Sequence, residues 1–153
     1  MNLSDLEKDF FIRTIKGHRH YLEYGSGWTT GVAKQHCDVT SIETDPQWAV
    51  KTDATHVHMG QVGSWGYPLS PSVEQLNTYF SFAREAIYDI LMIDGRYRVG
   101  VAYYSRPCIF MVHDYNREEY QVIETFAKKL DQVETLALFS KEKRSLVDVL
   151  NPI

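Results

Sequence analysis

Two unbroken apolar runs constrain this chain most: Ile90-Leu91-Met92-Ile93, which stops at Asp94-Gly95, and Ile109-Phe110-Met111-Val112, which stops at His113-Asp114. A strand with no polar face has to be covered on both sides, and the sheets that achieve this are parallel, with helices packed on each face. Parallel neighbours need a crossover that returns over the sheet, so helical segments are expected between the strands.

The chain supplies them in order. Ser4 or Asp5 can cap a first helix in which Leu6, Phe10, Phe11 and Ile15 recur at helical spacing until Gly17. His20 to Tyr24 reads as a strand entering a Gly-Ser-Gly turn, and Thr29 to His36 as the helix that leaves it. Val39 to Ile42 is rich in β-branched residues and ends at Glu43, after which Asp45-Pro46 caps a helix with proline in its first position. His56 to Met59 is expected as a third strand, Gly60 to Pro71 as a long loop, and Ser72 to Ile87 as a helix. Val99 to Ser105 is a helix between the two apolar strands, and Glu118 to Leu130 a further helix carrying Tyr120, Val122, Ile123 and Phe126. Thr135 to Phe139 and Leu146 to Leu150 are expected to pair as an antiparallel hairpin. The fold class is therefore α/β: a doubly wound, mainly parallel sheet in three α/β/α layers with a C-terminal antiparallel hairpin. No linker or repeat interrupts it, so residues 1–153 are expected to form one domain.

A hydrophobic fraction of 44% supports a sizeable core and excludes a disordered chain. The net charge of −4 offers no basic surface to a phosphate backbone by default, so nucleic acid is disfavoured as a partner. Apolar stretches fall short of the ~18 residues that suggest a membrane span, and Met1 to Asp5 shows no basic-then-apolar leader. A soluble, cytoplasmic protein without a membrane partner is expected. Cys37 and Cys108 lack metal-ligand spacing and are expected to be buried, reduced thiols.

The most informative stretch is Tyr21-Leu22-Glu23-Tyr24-Gly25-Ser26-Gly27-Trp28-Thr29-Thr30, where the first strand meets its helix. Its two glycines let backbone amides approach a ligand closely, and with Gly31 the spacing imitates a dinucleotide fingerprint, although the third glycine falls one position late. Glu23 tilts the choice, because a carboxylate beside a diphosphate is repelled, whereas one facing a cationic amino-acid end is attracted. At this point the chain resembles the class I S-adenosylmethionine-dependent methyltransferases, Rossmann-like enzymes whose first motif runs apolar, apolar, acidic, any residue, Gly, any residue, Gly. The resemblance extends to Ser41-Ile42-Glu43-Thr44-Asp45-Pro46, similar to that family's second motif. Further on, Ile93-Asp94-Gly95-Arg96-Tyr97-Arg98-Val99 with His113-Asp114-Tyr115 resembles methyltransferase-like proteins, so that the likeness spans Tyr21 to Phe139.

The resemblance implies S-adenosylmethionine as cofactor, held by Glu23, Tyr24, Gly25, Ser26, Gly27, Glu43, Gln61 and Asp94. Glu43 can accept hydrogen bonds from both ribose hydroxyls, a role it would serve equally for NAD. Gln61 lies where the family holds adenine, and is otherwise an exposed loop glutamine. Trp65 and Tyr67 either stack on a ligand or anchor the loop.

Asp94 and Asp114 each follow an apolar strand, at the sheet edge where ligands bind. Metal-dependent O-methyltransferases carry an Asp after the fourth strand and an Asp-Asn pair after the fifth. Here Tyr115 separates Asp114 from Asn116, so a divalent metal is not expected. Asp94, His113 and Asp114 are the candidate catalytic residues, His113 as a general base or else as a packed histidine. Arg96 and Arg98 could hold an anionic acceptor or simply form a solvated helix face.

The expected function is methyl transfer to a small-molecule acceptor, with specificity supplied by the Gly60 to Pro71 loop, the first helix or a second subunit of a homodimer. Its rivals are a non-catalytic cofactor-binding module of the same fold, an NAD-dependent oxidoreductase, and a nucleic-acid methyltransferase, the last held down by the acidic charge.

Overall fold

The structure is a computed structural model that describes residues 2–143. Its elements follow one another as α1 (Asp5–Ile15), β1 (His20–Tyr24), α2 (Trp28–Ala33), β2 (Asp38–Glu43), α3 (Pro46–Thr52), β3 (Thr55–His56), α4 (Val73–Glu85), β4 (Ile90–Ile93), α5 (Arg98–Tyr104), β5 (Cys108–Val112), β6 (Lys128–Val133) and β7 (Leu136–Lys141). The strands form one sheet in the order β3-β2-β1-β4-β5-β7-β6. β1 to β5 are parallel, β7 runs antiparallel to β5, and β6 antiparallel to β7.

The pleat divides the core in two. Tyr21, Ile90, Met92 and Met111 point to the face covered by Phe10, Phe11 and Ile15 of α1. Leu22, Tyr24, Leu91, Ile93, Phe110 and Val112 point to the face covered by Tyr79 and Ala83 of α4 and Val101 and Ala102 of α5. β4 is buried along its whole length, as its unbroken apolar run requires. Helix ends follow local chemistry: Ser4 and Glu7 make a reciprocal capping box on α1, Ser72 and Gln75 another on α4, and Asp45 accepts from the Trp48 amide at the start of α3.

Four expectations are corrected. The helix after β1 stops at Ala33 rather than at His36. The third strand pairs over Thr55–His56 alone; the Val57 amide still reaches the Glu43 carbonyl (2.9 Å), and at Gly60 (φ 75°) the chain turns into the loop. The helix expected over Glu118 to Leu130 is instead a 3-10 segment, Glu118–Thr125, followed by β6. Tyr120, Ile123 and Phe126, which pack on the core, are spaced by three, the period of a 3-10 helix. Lys128–Val133 is exposed and rich in helix-forming side chains, but its ladder with β7 overrides that preference. The C-terminal hairpin is therefore β6–β7, turning through Glu134-Thr135 with Glu134 at φ 49°, and the expected strand at Leu146 to Leu150 lies outside the described residues. Cys37 and Cys108 are unpaired and half-buried, and burial raises both thiol pKa values.

Among the described residues, no helix is long and apolar enough to cross a membrane.

Candidate functional site

The sheet reverses direction at β1, which lies between β2 and β4, and the loops leaving these strands part there. A cavity of ≈ 920 Å³ opens at their carboxyl ends. Its wall includes Gly25, Ser26 and Gly27 after β1, Glu43, Thr44 and Asp45 after β2, Asp94, Gly95 and Arg96 after β4, and Asp114 and Arg117 after β5. The volume lies toward the upper end of the roughly 300–1,000 Å³ usual for small-molecule sites. All three tryptophans of the chain, Trp28, Trp48 and Trp65, line it.

The two glycines of the first turn do different work. Gly25 (φ 88°) touches the β4 loop so closely that a Cβ there would stand 2.6 Å from the Gly95 nitrogen and 2.7 Å from the Asp94 carbonyl carbon. Its small size therefore lets two loops meet, rather than admitting a ligand. At Gly27 nothing lies within 4 Å of the corresponding position, so that side of the turn is open to the cavity.

Glu43 is nearly buried but reaches the wall. Its Oε2 accepts from the Ser26 amide and hydroxyl (3.1 Å each), and its Oε1 from the amides of Thr44 (2.8 Å) and Asp45 (3.1 Å). The Ser26 carbonyl in turn accepts from the Trp48 indole (2.7 Å), tying the turn to α3.

Glu23 is placed behind the wall, not on it. It is fully buried on the α1 and α2 side of β1 and accepts from the hydroxyls of Tyr21 (2.8 Å), Thr29 (2.9 Å), Ser41 (2.7 Å) and Thr30. Burial raises its pKa, and the four hydroxyls work against that rise. The direct ligand contact expected of Glu23 is thus replaced by support: its carboxylate holds the first turn of α2 against β1 and β2. Tyr24 is also off the wall, on the opposite face, where its hydroxyl donates to the Tyr79 carbonyl (2.8 Å) and accepts from the Ala83 amide (2.9 Å). Gln61 is exposed and does not line the cavity; its carbonyl accepts from the Leu69 amide (3.0 Å) within the loop.

At the far end the β4 and β5 loops bring Asp94, His113 and Asp114 together. His113 Nδ1 lies 3.0 Å from Asp94 Oδ1 and 3.9 Å from Asp114 Oδ1, while its Nε2 lies 3.6 Å from Glu7 Oε2. Burial disfavours the imidazolium, but the hydrogen bond and charge of Asp94, with Asp114 and Glu7, outweigh it and hold the pKa above its ordinary value. His113 is buried off the cavity wall and already paired, which removes it as a free general base. Asp94 does reach the wall, and no protein donor among the described residues engages its Oδ2.

Arg98, expected to face an acceptor or solvent, is buried instead. It forms an ion pair with Asp94 Oδ1 (3.2 Å) and donates to Asp114 Oδ2 (3.1 Å) and the carbonyls of Gly95 (3.1 Å), Asp94 (3.3 Å) and His113. The donor atoms of Asp94, His113 and Asp114 lie within 4.8 Å of one another, a spacing a divalent ion could bridge. The guanidinium bonding both carboxylates does not fit such an ion, which would have to displace a buried cation with five acceptors.

Sequence reasoning missed Glu7. It closes the α1 capping box, accepts from the amide (2.8 Å) and hydroxyl (2.6 Å) of Thr135, and faces His113. The capping pattern was the only local sign of it. Trp48 and Arg117 were likewise not legible as wall residues. Two of the five non-glycine residues with positive φ among the described residues, Trp65 (φ 59°) and Asp114 (φ 55°), line the cavity.

A seven-stranded sheet in this order, with its cavity at the β1 switch point, defines a methyltransferase-like α/β fold. Among solved structures the chain is similar to a methyltransferase-like protein from Silicibacter pomeroyi DSS-3, with a TM-score of 0.80 and 24% identity over 98% of this chain and 93% of that one. No family model and no curated protein matches the chain.

Proposed function

We propose that the chain binds S-adenosylmethionine and transfers its methyl group to a small acceptor. The observation that carries this reading is the arrangement at the switch point: a carboxylate ending β2, Glu43, and an open glycine after β1, Gly27, share one wall, with a cluster of charged groups across the cavity. When bound, S-adenosylmethionine supplies an electrophilic methyl group. Glu43 would hold the ribose hydroxyls, and Ser26, Gly27 and Trp48 would line the nucleoside. Asp94 Oδ2 takes the proton from the acceptor, while His113 and Arg98 on Oδ1 fix the carboxylate's orientation. The Trp65 loop and the N-terminal residues Asn2 and Leu3 cover the cavity.

Glu23 no longer discriminates against a diphosphate, since it is buried behind the turn. Glu43 can hold the ribose of either cofactor, so the choice between S-adenosylmethionine and NAD falls to their relative affinities in the titration below. A binding module without turnover is the second reading, favoured by the burial and pairing of His113 and Arg98, which leaves Asp94 Oδ2 as the base.

Titration of S-adenosylmethionine and S-adenosylhomocysteine, followed by tryptophan fluorescence and calorimetry, tests the reading, since every tryptophan lines the cavity. Micromolar binding that Glu43→Ala abolishes, with NAD at least tenfold weaker, is expected. Tighter binding of NAD, or none of either nucleoside, overturns it.

A further inference from the structure

The cavity wall after β4 carries a cation with no carboxylate partner among the described residues, Arg96. Arg98 is consumed by its five acceptors, and Arg117 is half engaged by Asp114 Oδ2 (3.0 Å). Arg96 forms no ion pair among the described residues, and neither of its Nη atoms has a hydrogen-bond partner there. It is nonetheless held rigidly. Its backbone amide and carbonyl both bond the Tyr79 hydroxyl (3.2 and 2.9 Å), and its Nε donates to the Trp65 carbonyl (3.0 Å). The guanidinium also lies 5.9 Å from the Tyr67 ring centre. A half-buried arginine fixed at its backbone and at Nε, with both terminal nitrogens unspent, is a pre-organised fork for an oxyanion.

Three arginines, Arg96, Arg98 and Arg117, share the cavity wall with four carboxylates, Glu43, Asp45, Asp94 and Asp114; Arg98 and Arg117 pair with Asp94 or Asp114, and Arg96 has no carboxylate partner among the described residues. The exposed indole of Trp65 stands on the same wall, held in its left-handed conformation next to the carbonyl that Arg96 engages. A flat ring can lie against that indole while its anionic substituent reaches Arg96.

Resting on the methyl-transfer reading above, we propose that Arg96 is the specificity determinant for an acceptor that bears a carboxylate or phosphate on a planar body. The same chemistry exists on the amino-acid end of the cofactor, so the test separates the two sources. Benzoate, phenyl phosphate and neutral benzamide serve as probes of the acceptor end, each with and without S-adenosylhomocysteine. 5′-Methylthioadenosine, which lacks the amino-acid carboxylate, is titrated beside S-adenosylhomocysteine. The variants are Arg96→Ala and Arg96→Lys, each checked for an unchanged thermal midpoint.

The expected result is that benzoate or phenyl phosphate binds wild type at least about tenfold more tightly than benzamide, as one charge-assisted hydrogen-bonding group provides. Arg96→Ala should erase that preference while leaving benzamide and S-adenosylhomocysteine within about twofold, and Arg96→Lys should restore part of it. An anion no tighter than benzamide on wild type, or a preference that survives Arg96→Ala, overturns the proposal. So does a variant that weakens S-adenosylhomocysteine but not 5′-methylthioadenosine, which would assign the fork to the cofactor's own carboxylate. Failure of S-adenosylhomocysteine to bind wild type sinks the methyl-transfer reading alone, because the comparison of anion with amide is also run without it.

Discussion

Replacing Arg98 by Met tests whether a guanidinium organises the acid cluster. The substitution keeps an unbranched side chain of similar reach but removes the guanidinium from Asp94 Oδ1, Asp114 Oδ2 and three backbone carbonyls, leaving His113 on Asp94 and Arg117 on Asp114. Asp114 is only 6% exposed, so its charge cannot turn to water and keeps only the exposed Arg117 at hydrogen-bonding distance, with His113 Nδ1 at 3.9 Å. Breaking a buried pair by removing one partner costs about 3–5 kcal/mol. For a chain of this size each kcal/mol lowers the thermal midpoint by roughly 2–4 °C, so a fall of roughly 6–20 °C is expected. The double variant Arg98→Met/Asp114→Asn removes the stranded charge as well, and should be more stable than the sum of the two single losses by about 1–3 kcal/mol. Urea unfolding followed by tryptophan fluorescence and by circular dichroism measures all four proteins. An Arg98→Met protein within about 1 kcal/mol of wild type, or strict additivity in the double variant, would refute the view that the cation holds these acids together.

Gly25→Ala should lose about 2–5 kcal/mol, from the left-handed strain of an alanine at φ 88° and from driving a Cβ into the Gly95 backbone; a urea midpoint near wild type would show that the two loops separate freely. Stability should also fall as pH rises above about 6.5. His113 has a folded pKa raised above 6.5, so its contribution is complete below about pH 6.5 and is lost as pH climbs through the folded value. The slope should stay under about 1.4 kcal/mol per pH unit, and a His113→Gln protein that keeps it would assign it elsewhere. Glu7 acts at the other end of the range: its pKa is lowered despite burial, by hydrogen bonds from Thr135 and Ser4 and by the charge of His113, so its contribution is present above about pH 4.5 and fades as pH falls through the lowered value.

Much of the site's frame was legible because it depends on local signals. An apolar run that halts at an acid marks a buried strand and its carboxyl end, which placed Asp94 and Asp114 together at the cavity. The Gly-Ser-Gly turn after β1 and the acid closing β2 are likewise local, and Gly25, Ser26, Gly27 and Glu43 do line the wall. Gln61 shows the limit of such reading: position in the loop order said nothing of which way the loop faces.

By itself, then, the sequence determined the alternation of strands and helices, the parallel sheet and the edge at which a ligand site would open, since period, caps and turn residues act within a few positions. Only the tertiary structure decided which charges are spent and which are free. Arg96 and Arg98 are two residues apart with the same side chain, yet Arg98 is buried between two acids while Arg96 lines the cavity with no ion pair among the described residues. Glu7 meets His113 across most of the chain's length, and Lys128–Val133 becomes strand because β7 offers it a ladder. Burial and pairing are properties of neighbours in space, and for these residues the neighbours are distant in sequence.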